Sequence, residues 1–218
     1  MLPDGNPYKK VQRLTVEDGS VFYLKQIGRE PSKHHLRTLF CGHIPYSRAL
    51  RELRMLKKLR SAGFITMEPV AWGERRCFGV PLDGFLVVRE VRGEEVSELY
   101  KRSSGLEKRI LLETVGRLVG QLHAKGFFQP VRLKDLILTE AGLVLIDRET
   151  SKPWKSFFLR KKCINSLLRS IRRTLRDGYH IGIGGTAAFL KGYRMGISSR
   201  WAVSSSTLLK KLFSKARN

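Results

Sequence analysis

The 218-residue chain is 42% hydrophobic, enough for one substantial core or two small lobes, and no apolar run approaches the ~20 residues that cross a bilayer. Its 42 Lys plus Arg against 19 Asp plus Glu give a net charge of +23, and residues 151–218 hold 16 basic residues against the single acid Asp177, a net +15. Such a field faces something anionic, whether nucleic acid, membrane surface or phosphorylated substrate, while the widely spaced Cys41, Cys77 and Cys163 exclude a disulfide framework or a zinc site.

The N-terminus MLPDGNPYKK lacks the apolar segment of a secretory signal, so the sequence reads as cytoplasmic. Residues 8–26 predict a hairpin, with Tyr8, Val11, Leu14 and Val16 on one arm and the turn signal Asp18-Gly19-Ser20 before VFYLK. Alternation sends Val21, Tyr23 and Lys25 to one face of the second arm. Residues 27–46, with His34, His35 and His43, read as a mobile loop whose histidines have no third metal ligand at helical spacing. Ser47 is placed to cap a helix that Gly63 stops. Within it Glu52 stands among Ala49, Met55, Leu56 and Leu59. That spacing leaves two readings open, a carboxylate beside the buried stripe awaiting a cation or an exposed glutamate paired with neighbouring arginines.

The segments ITMEPVAWG and GFLVVREV predict a second hairpin, and VRGEEVSELYKRSSG a linker with a short helix. Ser104-Gly105-Leu106-Glu107 spells a capping box that opens a helix with Leu111, Val115, Leu118, Val119 and Leu122 on one face, ended by Gly126. A loop follows, then two short apolar strands that close on Asp147. Further on, Trp154 to Arg176 is helical in pattern, with Phe157, Ile164, Leu168, Ile171 and Leu175 apolar and a dense basic set opposite. Gly182-Ile183-Gly184-Gly185 reads as a flexible connection, Thr186 to Arg194 as a last helix, and STLLKKLFSKARN as a basic amphipathic tail. The expected architecture is α+β and two-lobed, a small antiparallel sheet with one helix over residues 1–95 and a mainly helical part over 96–218.

Strand lysine, helix glutamate, sheet, linker, helix, loop and a strand ending in aspartate follow the order of a protein-kinase-like fold. More closely, SRALRELRMLKKLRSAGFITMEPVAWGE, GFLVVREV, VGRLVGQLHAKGF and LVLIDRE together resemble the bacterial lipopolysaccharide core kinases, the Kdo/heptose (WaaP-type) kinase family. The resemblance implies ATP and Mg2+ as cofactors. It makes Lys25 the phosphate-binding lysine, Glu52 its partner and Asp147 the magnesium-binding aspartate. The family's catalytic His-x-Asp falls on Gln129-Pro130-Val131, and the second metal position on Leu136. A slip of one residue puts Asp135 there, leaves Pro130 at the base position, and makes Asp135 the remaining candidate for a catalytic and second metal contact. Gly5 is the sole glycine placed to cover phosphates, so either nucleotide is held loosely or the true start lies upstream.

On this resemblance the chain is expected to transfer the ATP γ-phosphate to a Kdo or heptose sugar of the lipid A-core, weakly for want of a base. It would act as a cytoplasmic protein peripheral to the inner face of the inner membrane, docked through its basic last third. The alternative is a non-catalytic pseudokinase that binds nucleotide, lipid or a partner and regulates envelope assembly. Nucleic acid fits less well, because no reading motif or interleaved aromatics accompany the basic residues.

Overall fold

The computed structural model describes residues 9–28, 44–147 and 159–197. The histidines of the 27–46 loop, Gly5, Trp154, Phe157 and the STLLKKLFSKARN tail lie outside them. The chain divides into two compact units, residues 1–92 with 144–150 and residues 93–143 with 151–218.

In the first unit β1 (Lys9–Thr15) and β2 (Val21–Ile27) form the expected hairpin. Its turn is made by Gly19 at φ 78° and by Asp18, whose Oδ1 accepts from Ser20 N at 2.7 Å. The second hairpin, β3 (Pro69–Cys77) and β4 (Val80–Arg89), completes an antiparallel sheet of order β1-β2-β4-β3. Helix α1 (Arg48–Ser61) is capped by Ser47, which accepts from Leu50 N, and its buried face is Ala49, Glu52, Leu53, Met55, Leu56 and Leu59. Ala49, Leu53 and Leu56 meet Ile27, Leu86 and Val88 of the sheet, together with Met67, in one core. Each buried aliphatic side chain there contributes on the order of 2 kcal/mol.

The second unit opens with β5 (Glu94–Glu95) and α2 (Val96–Arg102). The residues expected to be a linker thus supply a strand as well as the short helix, and β5 pairs antiparallel with β6 (Leu136–Thr139). Two glutamates have low strand propensity, so only their partner strand makes them extended. Helix α3 (Gly105–Ala124) begins at Ser104, whose backbone N–H donates to Glu107 Oε2 at 2.6 Å. Strand β7 (Gly142–Leu145) follows β6, its last two residues counted with the first unit, and helices α4 (Leu159–Arg176) and α5 (Ile183–Gly196) close the described chain.

Helix α5 corrects the expectation for Gly182-Ile183-Gly184-Gly185. Gly182 is its cap and the other three residues form its first turn. The glycines that packing requires are further along α5 and on α3. Gly116 and Gly120 of α3 face Gly192 and Gly196 of α5, two Gly-x-x-x-Gly stripes on helices running in the same direction. A Cβ at Gly192 would overlap the Glu113 carbonyl oxygen and sit 2.7 Å from its carbon; one at Gly196 would be 2.9 Å from Gln121 N, and one at Gly116 3.0 Å from Tyr193 N. Backbones this close gain dispersion and Cα–H···O contact that side chains would prevent.

Candidate functional site

Strand β2 carries Lys25 on the sheet face that α1 covers. Its neighbours across the strands are Val11 and Leu86, so the aliphatic stem runs through apolar surroundings and only the ammonium needs polar partners. It finds two. Lys25 Nζ lies 2.5 Å from Glu52 Oε1 and 3.8 Å from Asp147 Oδ1. Glu52 is 1% exposed and Lys25 7%, which decides between the two readings of Glu52: it is the buried partner of the strand lysine.

Asp147 reaches this cluster because β7 is fastened beside the segment after α1. Leu145 N donates to Ile65 O at 3.0 Å, Met67 N donates to Leu145 O at 3.4 Å, and Ile146 packs on the core. Asp147 itself has φ 52°, a left-handed conformation costing a non-glycine residue roughly 1–2 kcal/mol. Its carboxylate is half-exposed beside a fixed ammonium. Among the described residues no group of three or more His, Cys, Asp or Glu forms a self-sufficient metal site. One carboxylate next to a fixed ammonium is instead a donor set that would suit magnesium, an ion that takes one or two carboxylates and draws its other oxygens from phosphate and water.

A separate cleft of about 710 Å3 includes Lys10, Gln26, Gly73 and Phe85 in its lining. These residues pair in a row across all four strands, and the pleat turns Gln26 away from Lys25. The cleft reaches round the sheet edge to Ile27 and Glu74, and none of its lining residues belongs to the Lys25–Glu52–Asp147 cluster.

In the second unit the loop after α3 starts at Gly126, φ 85°, with Phe127 N donating to Leu122 O at 2.8 Å. Gln129-Pro130-Val131 offers no group that takes a proton at neutral pH. Its ordering comes from α4: Val131 N donates to Ser170 Oγ at 3.0 Å, and Ser170 Oγ donates to Ser166 O at 3.0 Å. Asp135 ends the 3-10 turn Leu133–Asp135 and is buried. Arg132 donates from NH2 to Asp135 Oδ1 at 2.6 Å, and its backbone N–H to Oδ2 at 3.2 Å, so both carboxylate oxygens are engaged locally.

His123, near the end of α3, anchors this loop's support. Its Nδ1 lies 3.0 Å from Tyr193 Oη and its Nε2 2.9 Å from Ser166 Oγ, linking α3, α5 and α4. Burial pulls the imidazole from 6.5 down to about 3 and pushes the Tyr193 phenol well above its ordinary value. The folded protein keeps His123 neutral where the unfolded chain would protonate it. Its contribution to stability is therefore full above pH 6.5 and falls as pH drops from 6.5 toward 3, a loss of about 2 kcal/mol by pH 5. Urea unfolding at pH 7.5 and pH 5 will show that loss in the native protein and a smaller one in His123→Phe; equal losses would mean the imidazole titrates normally.

The lipopolysaccharide kinase (Kdo/WaaP) family matches this chain over residues 5–179. The chain belongs to that family. Among individual relatives, lipopolysaccharide core heptose(I) kinase WaaP of Pseudomonas aeruginosa is 29% identical over 96 residues, a stretch spanning 41% of this chain and 36% of that protein. A solved structure of WaaP in complex with acyl carrier protein superposes with a TM-score of 0.63 at 21% identity, covering 97% of this chain and 85% of that one. The fold is therefore protein-kinase-like, as the motif order implied. A Rio2 kinase from Chaetomium thermophilum, solved with ADP, Mg2+ and phosphoaspartate, overlays with a TM-score of 0.48 at 17% identity, covering 97% of this chain and 68% of that one. No helix among the described residues is long and apolar enough to cross a membrane.

Proposed function

We propose that this member of the lipopolysaccharide kinase family binds Mg-ATP and transfers its γ-phosphate to a Kdo or heptose sugar of the lipid A-core, at a cytoplasmic membrane surface. The observation that carries the reading is the Lys25 ammonium held between Glu52 and Asp147. Lys25 would bind nucleotide phosphates, Glu52 fixes that ammonium, and Asp147 would hold magnesium. When bound, the ion would neutralise charge developing on the transferred phosphoryl group. Asp135 is the candidate second metal contact, with its oxygens already accepting from Arg132. Residues 1–95 and 96–218 would be the two lobes of such a kinase.

Without a base near Pro130 the acceptor hydroxyl must lose its proton to solvent, which lowers the rate by ~10²–10⁴-fold without abolishing transfer. The same loop favours a second reading, a non-catalytic relative that binds nucleotide or lipid and regulates envelope assembly. The purified protein, Mg-ATP and a deep-rough lipopolysaccharide acceptor separate the two. Transfer that falls at least about 100-fold in Asp147→Ala supports the kinase. Nucleotide-dependent thermal stabilisation that is lost in Lys25→Met, with no transfer, supports the regulator. If neither labelling nor a thermal shift with Mg-ATP is found, both readings fail.

A further inference from the structure

Three helix ends of the second unit expose apolar and cationic side chains together. On α3, Leu106 is 68% exposed and Ile110 59%; Leu175 at the end of α4 is 45% exposed and Ile183 at the start of α5 81%. These ends are neighbours. A Cβ at Gly184 would lie 3.1 Å from the Arg109 guanidinium and one at Gly185 2.8 Å from Leu112 Cδ1, setting the first turn of α5 on the first turns of α3. Leu112, Ile171, Leu175, Ile181 and Thr186 line a shared cavity of about 80 Å3, which brings the end of α4 to the same place.

The cations around this patch are not used internally. Arg109, Arg172, Arg173 and Arg176 are exposed, and none has an acidic ion-pair partner among the described residues. The acids nearby are engaged elsewhere: Glu98 pairs with Lys101, Asp177 with Lys134, and Glu107 accepts from the Ser104 backbone. Four exposed branched aliphatic chains that share these helix ends with four arginines lacking acidic partners offer nothing for bases to stack on. They match an anionic lipid interface, where aliphatic chains enter the acyl boundary and guanidinium groups meet phosphate headgroups.

We infer that this pole, formed by the first turns of α3 and α5 and the last turns of α4, docks the protein on an anionic phospholipid bilayer with Ile183, Leu106 and Ile110 inserted. The choice of a membrane rests on the proposed glycolipid substrate, but the docking itself needs no phosphoryl transfer. Each arginine beside an anionic surface strengthens binding by roughly fivefold.

Flotation of the full chain with phosphatidylcholine vesicles, with and without phosphatidylglycerol, tests this directly. Binding is expected only with phosphatidylglycerol. The pair Arg172→Glu/Arg173→Glu should weaken it by roughly 20-fold or more and Ile183→Asp by about tenfold. Lys125→Glu, past the far end of α3, should change it less than about twofold if location rather than net charge governs binding. All are surface changes, so unfolding midpoints should stay at the native value. Transfer to a core oligosaccharide freed of its lipid should be unaffected, which keeps this inference distinct from the kinase reading. Wild-type-like flotation of the Ile183 and arginine variants, an equal loss in Lys125→Glu, or binding to an acidic protein or nucleic acid but not to vesicles would overturn it.

Discussion

Gly192→Ala is expected to destabilise the protein by about 3 kcal/mol, lowering its thermal midpoint by about 8 °C. Propensity alone argues the opposite, since alanine in a helix interior is better than glycine by about 1 kcal/mol. The sign is decided by what the new methyl would meet. Its neighbours are the Glu113 carbonyl and Arg117 N, 3.0 Å away, both backbone atoms of α3 that move only if the helix moves. Separating α3 from α5 would in turn pull Tyr193 away from His123 and loosen the link to Ser166. Gly184→Ala supplies the contrast. There the nearest atom is Arg109 NH2 at 3.1 Å, the far end of a flexible side chain, so the same substitution should be neutral or stabilising by up to about 1 kcal/mol. Chemical denaturation of the two variants settles the matter, and a stable Gly192→Ala would mean that the helices are not held by this crossing.

The glycine stripes stand in the sequence as GRLVG and GYRMG, and nothing local marks them as a pair. In a basic, polar context a glycine every fourth residue looks like tolerated irregularity, and only a facing helix turns it into close packing. The role of His123 has no local signal for a related reason. Its partners Ser166 and Tyr193 lie 43 and 70 residues further on, and no local pattern announces contacts of that range. By contrast the first hairpin, α1 and the α3 capping box follow from local turn, cap and periodicity chemistry and stand at the expected residues, whereas the strands of the second hairpin, Pro69–Cys77 and Val80–Arg89, take up most of the loop expected between them and turn at Phe78-Gly79. Glu52 falls between these cases. Helical spacing placed it at the edge of the buried stripe, but its depth was set by β2, which brings an ammonium 2.5 Å away. For Asp135 the sequence offered a metal-site position within one residue. It gave no warning that Arg132, three residues earlier, would take both oxygens through a 3-10 turn.

Lys25→Met should cost about 4 kcal/mol and Glu52→Ala about 2 kcal/mol, an asymmetry that follows from who is left behind. Removing the lysine takes the cation from a glutamate that is 1% exposed and also from Asp147. Desolvated carboxylate then has to be tolerated or protonated. Removing the glutamate leaves the lysine with Asp147, which is 3.8 Å away and half-exposed, so the ammonium can close on it. The double variant Lys25→Met/Glu52→Leu replaces both charges with aliphatic volume against Ala49, Leu53 and Leu86, and it should recover most of the loss or exceed native stability. Urea denaturation of the three variants gives the stabilities, and thermal shift with Mg-ATP gives the binding. The proposed role of Lys25 requires that the double variant be stable yet blind to nucleotide. A double variant that still responds to Mg-ATP would show that the buried pair serves the fold and that phosphates are held elsewhere. If it is stable and unresponsive, a pair that hydrocarbon replaces without loss of stability has been kept for what its ammonium binds.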